Sequence, residues 1–132
     1  MADAKKRVLV VDDDQELLNL IRILLSRLSV EVTTAETASA AAHLLKTAPL
    51  PDLLVLDLML PDISGVDLLK QMRMKPIFDT LPVLVLSALI DPSQIREALD
   101  AGADRYLTKP YIANNLISVA GEMLRTGRRT TT

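Results

Sequence analysis

The sequence predicts an α/β protein built on a five-stranded parallel sheet with helices on both faces. Short apolar runs that are typical of buried strands alternate with helical segments five times along 132 residues. Every gap between two such runs is long enough for a crossover helix, which parallel strands require. The third run, Leu53–Leu56, is apolar at all four positions, as expected for a strand that is covered on both faces. The alternation therefore predicts a sheet packed between two layers of helices.

The first part of the chain contains two predicted strands and two predicted helices. Val8–Val11 is a short apolar strand, and an aspartate after it can cap the helix that follows. That helix carries one apolar stripe at helical spacing, formed by Leu17, Leu18, Ile21, Leu24, Leu25 and Leu28. Val30–Thr34 is rich in β-branched residues and is predicted to be the second strand. Ala38–Lys46 is alanine-rich and is predicted to form a helix that Pro49 ends.

After the third strand, Gly65–Met74 is predicted to be a helix that Pro76 ends. Val83–Leu86 is the fourth strand. Ala103–Leu107 is the fifth, although it contains polar residues.

Two more helices complete the pattern. Asp91 and Pro92 form a capped helix start, and Gly102 ends that helix. We expect the inward-facing residues of this helix to be Ile95, Ala98 and Leu99. The last helix runs from about Ile112 to Leu124, and its expected buried residues are Leu116, Ile117, Ala120 and Met123.

Composition excludes several classes of function. The chain contains no cysteine, which excludes disulfides, thiolate nucleophiles and cysteine metal sites. A formal net charge of −2 argues against direct binding of nucleic acid or of an anionic membrane by broad electrostatics. No apolar run approaches the roughly 20 residues of a membrane span. We therefore expect a cytoplasmic protein that does not associate with a membrane.

The chain is expected to form one domain over residues 1–125. A hydrophobic content of 49% in 132 residues suits a single core. Residues 126–132 have no apolar pattern and are expected to be a disordered tail or the start of a linker. The sequence ends soon after the last predicted helix, and we expect either a single-domain protein or one domain of a longer protein.

Polar side chains collect at one edge of the predicted sheet. The carboxyl ends of parallel strands share an edge, where ligands bind at a topological switch point. The residues just beyond those ends are Asp12, Asp13, Asp14, Asp57, Ser87 and Lys109. If the first and third strands are neighbours, the carboxylates of Asp12, Asp13 and Asp57 converge. Clustered carboxylates repel one another, so each needs a protonated neighbour or a cation. Oxygen ligands at a partly wet site suit Mg²⁺, whereas a glycine-rich phosphate loop is missing after the first strand.

Each of these residues also has an ordinary structural interpretation. One of the three consecutive aspartates is expected to cap the first helix, Ser87 can be a turn residue, and Lys109 can be a solvated surface lysine. Tyr106, within the fifth strand, can simply be a packing residue. Their joint arrival at four strand ends is what favours a functional site.

The sequence resembles the receiver domains of two-component response regulators over roughly Lys6 to Leu124. The resemblance is carried by five ordered motifs, Val10-Val11-Asp12-Asp13-Asp14, Leu56-Asp57-Leu58-Met59-Leu60-Pro61-Asp62-Ile63-Ser64-Gly65, Leu86-Ser87-Ala88, Gly102-Ala103-Asp104 and Tyr106-Leu107-Thr108-Lys109-Pro110. It implies a flavodoxin-like (βα)5 fold with strand order 2-1-3-4-5. It also implies a switching protein that takes a phosphoryl group from a sensor histidine kinase or a phosphotransfer protein.

The resemblance implies a role for each site residue. Asp57 would be the phosphoacceptor, and Asp13, Asp57 and the main-chain carbonyl of Met59 would bind Mg²⁺, with Asp12 acting through water. Lys109 would pair with a phosphoryl oxygen, and the peptide before Pro110 would be cis.

The resemblance also implies a switch. Ser87 would hydrogen-bond the phosphoryl group, and Tyr106 would turn inward. The face made by the fourth helix, fifth strand and fifth helix would then change, and that face is also where a homodimer could form. Ser87 stands where the family more often has threonine. Serine lacks only the methyl group, so the hydrogen bond to the phosphoryl group should be preserved. Met59 and Leu89 are apolar and cannot orient a water molecule, so slow self-dephosphorylation is expected.

Two other classes of protein share single features with this sequence. A Mg²⁺-dependent aspartyl phosphatase or phosphotransferase could use Asp12-Asp13-Asp14, but Gln15-Glu16 does not fit the haloacid-dehalogenase-like pattern and 132 residues leave little room for a cap. A non-phosphorylated docking adaptor would have no need for the acidic set. The sequence therefore favours a receiver that is not an enzyme beyond its own phosphorylation and slow dephosphorylation.

Overall fold

The computed structural model describes residues 5–47, 49–88, 91–109 and 113–128. Its strands are β1 (Arg7–Val11), β2 (Glu31–Ala35), β3 (Leu53–Leu56), β4 (Val83–Ser87) and β5 (Arg105–Thr108). Its helices are α1 (Gln15–Leu25), α2 (Ala38–Thr47), α3 (Gly65–Arg73), α4 (Pro92–Asp100) and α5 (Ala113–Thr126). All strand pairs are parallel and the order is β2-β1-β3-β4-β5, which confirms the predicted fold.

The sheet is covered on both faces, because its side chains point alternately into two separate cores. In β3, Leu54 and Leu56 pack into the core beneath α2, α3 and α4, whereas Leu53 and Val55 pack into the core beneath α1 and α5. All four residues are buried. This two-sided burial explains why the third strand is apolar at every position instead of alternating.

The strand register places the site residues. Val11 pairs with Leu56 in neighbouring strands, so Asp12 and Asp57 leave the sheet side by side. The Asp57 N–H donates to the Val11 carbonyl at 2.9 Å, and the Asp12 N–H donates to the Ala35 carbonyl at 3.0 Å. The neighbouring strands β2 and β1 therefore hold the start of the two acidic loops by main-chain hydrogen bonds.

Helix α4 packs less deeply than the sequence indicated. Ala98 is its fully buried residue and Ile95 is half-buried, but Leu99 is 38% exposed, so the expectation that Leu99 faces inward is wrong. One residue further along a helix means a rotation of about 100°, which turns Leu99 away once Ala98 faces the sheet.

The C-terminal segment stays attached to the domain as far as Arg128. Helix α5 continues to Thr126, two residues beyond its predicted end. The Arg128 guanidinium then donates to the buried Asp104 carboxylate at 3.0 Å and to the Asp79 carbonyl at 2.9 Å. We expected a frayed chain from Thr126 onward, and these contacts order its first residues. The expectation for residues 129–132 lies outside the described residues.

Within the described ranges, no helix combines the length and the apolar character that crossing a bilayer needs.

Candidate functional site

Three carboxylates converge at the carboxyl edge of the sheet. Asp12 and Asp57 are buried, with 2% and 5% of their surface exposed, and Asp13 is exposed beside them. One carboxylate oxygen from each residue lies within 4.8 Å of the others. The convergence expected from the sequence is confirmed, because β1 and β3 are neighbours and each delivers its aspartate directly after its last residue.

Lys109 completes this cluster from the end of β5. Its ammonium donates to Asp12 Oδ2 at 2.7 Å and lies 3.4 Å from Asp57 Oδ2. Its main-chain N–H donates to the Ser87 carbonyl at 3.0 Å, which continues the pairing of β4 with β5. Lys109 is therefore a half-buried partner of two carboxylates and not a solvated surface lysine. The peptide between Lys109 and Pro110, like Leu89, lies outside the described residues.

The electrostatics of the cluster follow from its burial. Burial raises the pKa of the Asp57 carboxyl above its ordinary value, and the neighbouring charge of Asp12 acts in the same direction. The Met59 N–H, which donates to Asp57 Oδ1 at 3.2 Å, and the Lys109 ammonium act against this rise without cancelling it. Burial alone would lower the pKa of Lys109, but the hydrogen bond to Asp12 and the charge of Asp57 outweigh it, so the pKa is raised.

The donor set fits a hard divalent cation. Three carboxylates face the Lys109 ammonium, so the cluster keeps excess negative charge that a bound cation would offset. All of these donors are oxygens, and one of the three carboxylates is exposed to water. Mg²⁺ prefers such a site, because it takes one or two carboxylates and keeps several of its own waters.

Asp14 belongs to the helix and not to the cluster. Its carboxylate accepts from the N–H groups of Glu16 and Leu17 and so caps α1. This confirms that one of the three consecutive aspartates is a capping residue. The Asp14 N–H in turn donates to Asp12 Oδ1 at 2.9 Å, which orients the Asp12 carboxylate.

Ser87 and Tyr106 meet next to the cluster. Ser87 ends β4 and is fully buried, and Tyr106 lies in β5, half-buried against the core beneath α2, α3 and α4. Burial raises the pKa of Tyr106, while a hydrogen bond with the Ser87 side chain acts in the opposite direction. The two residues predicted to form the switch are therefore in contact, with Tyr106 already turned inward.

Two residues, Asp62 in the loop between β3 and α3 and Gly65 at the start of α3, have roles that the sequence reasoning missed. The Gly65 N–H donates to the Leu58 carbonyl at 2.8 Å, and the Gly65 Cα lies against the Asp57 main chain. Asp62 binds the N-terminus of α2. A glycine at the start of a predicted helix, just after the acidic loop, could have indicated that two main-chain segments approach closely there. No feature of the neighbouring sequence identifies α2 as the partner of Asp62.

The chain belongs to the family described as response regulator receiver domain, which matches residues 8–120. Among curated proteins, it is 46% identical over 104 residues to the transcriptional regulatory protein KdpE of Mycobacterium tuberculosis, covering 79% of this chain and 44% of the relative. It is 36% identical over 119 residues to the phosphate regulon transcriptional regulatory protein PhoB of Rhizobium meliloti, covering 90% of this chain and 52% of the relative. The chain thus spans about half the length of these relatives.

Solved structures agree with this assignment. The receiver domain of the Francisella response regulator 1452 superposes with a TM-score of 0.81 at 34% sequence identity, covering 91% of this chain and 96% of that one. The receiver-domain protein from Methanospirillum hungatei superposes with a TM-score of 0.84 at 27% identity, covering 92% and 95%. The chain is thus a receiver domain of two-component signalling in both sequence and fold.

Proposed function

We propose that this receiver accepts a phosphoryl group on Asp57 with the help of Mg²⁺. The observation that supports this most directly is the convergence of Asp12, Asp13 and Asp57 on one point, with the Lys109 ammonium 3.4 Å from Asp57. Phosphoryl transfer needs charge neutralisation and alignment more than covalent help, and this arrangement would supply both once a divalent cation is bound. The donor would be the phosphohistidine of a sensor kinase or of a phosphotransfer protein.

In the reaction, a carboxylate oxygen of Asp57 attacks the donor phosphorus. A new O–P bond forms while the P–N bond of the phosphohistidine breaks, and its electron pair leaves on the imidazole nitrogen. The products are an acyl phosphate on Asp57 and a free histidine on the donor. Lys109 would then exchange its contacts with Asp12 and Asp57 for a phosphoryl oxygen.

Asp12, Asp13, Asp57 and the Met59 main-chain carbonyl would hold the cation, with Asp12 acting through water. A Mg²⁺ ion held there would offset charge on the phosphoryl oxygens and help to orient the phosphoryl group for attack by the Asp57 carboxylate. Asp12 Oδ1 also accepts from the Asp14 N–H, a contact that the departure of Lys109 would leave in place.

The output would pass through Ser87 and Tyr106. A phosphoryl group on Asp57 would offer the Ser87 hydroxyl a strong acceptor, which favours the inward position of both side chains. The face made by α4, β5 and α5 would change with them, and it is the proposed surface for a homodimer. Nucleic-acid binding is not assigned to this domain, although KdpE and PhoB are transcriptional regulators by name. The cytoplasmic location and the absence of turnover on external substrates are part of the same proposal.

Labelling with acetyl phosphate and Mg²⁺ tests the function. We expect one phosphoryl group per chain, found by intact mass, and none in Asp57→Asn. When both proteins are free of Mg²⁺, Asp57→Asn should melt at a higher temperature than the wild type. Burial raises the pKa of the Asp57 carboxyl, so keeping this group ionised at neutral pH lowers the free energy of unfolding of the wild type. This cost disappears as the pH falls below the ordinary carboxyl range, so the difference in melting should vanish in acid. Repeated turnover of generic phosphoesters would instead support a phosphatase, and an unlabelled wild type would contradict the proposal.

The phosphorylated protein should lose its label slowly. Met59 is 59% exposed next to Asp57, and its thioether cannot hold and orient an attacking water molecule. We expect a half-life of minutes or longer in Mg²⁺ buffer, followed by intact mass after removal of acetyl phosphate. Met59→Asn, which adds an amide able to bind water, should shorten it. A wild-type phosphoryl half-life of seconds would contradict the prediction of slow dephosphorylation.

A further inference from the structure

We propose that Asp62 is a positioning residue for the Mg²⁺ site. Its carboxylate fastens the loop between β3 and α3 to the N-terminus of α2, and this attachment holds Asp57 and Met59 in place for the cation. The inference rests on the proposed function, which defines what is being positioned. Asp62 does not touch the carboxylate cluster, so it would act through the loop and not on the reacting atoms.

Both oxygens of Asp62 are engaged by the start of α2. Oδ1 accepts from the Ala38 N–H at 2.9 Å, and Oδ2 accepts from the Ser39 N–H at 2.8 Å and from the Ser39 hydroxyl at 2.7 Å. Three short hydrogen bonds to one carboxylate fix its orientation as well as its position. They also hold the pKa of Asp62 far below its usual range, so it stays ionised at any working pH.

The partner end of α2 needs these acceptors. The first N–H groups of a helix have no partner within the helix, and the helix dipole favours a negative charge there. Thr37 provides acceptors for the third and fourth of these groups. Its hydroxyl oxygen accepts from the Ala40 N–H, and its carbonyl oxygen accepts from the Ala41 N–H. Asp62, which lies more than 20 residues further along the chain, accepts from the first two. The cap of α2 is therefore shared with the loop that follows Asp57.

This shared cap gives the loop a second fixed point. At its base, the Gly65 N–H bonds to the Leu58 carbonyl at 2.8 Å. Near its tip, Asp62 is bound to α2, and Pro61 restricts the backbone just before it. Residues 59–61 lie between these points, so the main chain of Met59 has little freedom. That main chain already donates to Asp57 Oδ1 and is the proposed carbonyl ligand of the cation.

The attachment also reaches the loop that carries Asp12. The segment before α2 is joined to α1 by the hydrogen bond from Gln15 to Glu36, and the Asp12 N–H donates to the Ala35 carbonyl at 3.0 Å. Asp62 thus links the loop after Asp57 to the segment that supports Asp12. Without this link, the distance between the Asp12 and Asp57 carboxylates should vary more.

Mg²⁺ affinity measured on the unphosphorylated protein tests the proposal. In an amide NMR titration with MgCl₂, we expect Asp62→Ala to raise the Mg²⁺ dissociation constant about tenfold, the lower end of the range for residues that orient metal ligands. Ser39→Ala, which removes only the hydroxyl contact, should raise it less. Asp67→Asn removes an exposed carboxylate from the first turn of α3 and should leave it within about twofold of wild type. The Ala38 and Ser39 amides should exchange hydrogen faster in Asp62→Ala.

Loss of the Mg²⁺ site and loss of the Asp62 role would give different results. A wild type that binds no Mg²⁺ and takes no label would remove the proposed function itself. A labelled wild type with the same Mg²⁺ affinity as Asp62→Ala would overturn only the role of Asp62. If Asp62→Ala does not fold, Ser39→Ala decides, because a dissociation constant equal to that of the wild type would contradict the proposal.

Discussion

Gly65→Ala is expected to destabilise the domain and to abolish rapid labelling of Asp57. A Cβ at this position would overlap the carbonyl oxygen of Asp57 and lie 2.8 Å from the Cα of Leu58. Both are main-chain atoms, so no side-chain rotation can relieve the overlap. We expect the free energy of unfolding to fall by about 1–3 kcal/mol, the range for overpacking. Displacement of the Asp57 main chain should lower the labelling rate by about 100-fold, as misplacement by about 1 Å can.

Gly121→Ala is the matched control for this substitution. Its Cβ would lie 3.4 Å from the end of the flexible Leu28 side chain, and the residue is within α5. Alanine is favoured over glycine in helices by up to about 1 kcal/mol, so this variant should be as stable as the wild type or more so. Urea denaturation and acetyl phosphate labelling measure both variants. Wild-type labelling by Gly65→Ala would show that the loop can move away without disturbing Asp57.

Asp104→Ala is expected to give the largest loss of stability. The Asp104 carboxylate is buried, accepts from the Val83 N–H at 2.9 Å and contacts Arg73 at 3.3 Å and Arg128 at 3.0 Å. Burial lowers the pKa of Arg73 to about 10, aided by Arg128, and the charge of Asp104 acts against this. Removing the carboxylate leaves a largely buried guanidinium without the counter-charge that it contacts, and only the more distant charge of Asp79 remains. Breaking a buried ion pair in this way typically costs about 3–5 kcal/mol.

Glu122→Ala separates this effect from ordinary ion pairs. Glu122 contacts Arg105 at 3.5 Å with both side chains substantially exposed, and such pairs contribute between about 0 and 1 kcal/mol. Urea denaturation should therefore separate the two variants clearly. A loss below about 1 kcal/mol for Asp104→Ala would mean that the Gly102 and Phe78 carbonyls, which also accept from Arg73, satisfy the guanidinium by themselves.

Hydrophobic patterning was sufficient to predict a parallel sheet between two helical layers, because burial on two faces requires a continuous apolar run, whereas the strand order was predicted from the resemblance to receiver domains. Leu53–Leu56 shows this most clearly, since its four residues divide evenly between the two cores. The same pattern placed Asp57 at a sheet edge. Leu99 was predicted incorrectly because apolar character alone does not say how closely a helix approaches the sheet.

Residue order along the chain was enough to predict the parallel α/β architecture, the edge where polar residues gather and the acidic residues at that edge. Three contacts became visible only in the folded chain: Lys109 contacts both Asp12 and Asp57, Tyr106 meets Ser87, and Asp62 caps a helix that begins more than 20 residues earlier. The difference arises from how far apart the interacting residues are in the sequence. Strand and helix periodicity arises from neighbours along the chain, whereas these polar contacts join side chains that are distant in sequence, and their partners depend on strand order and register.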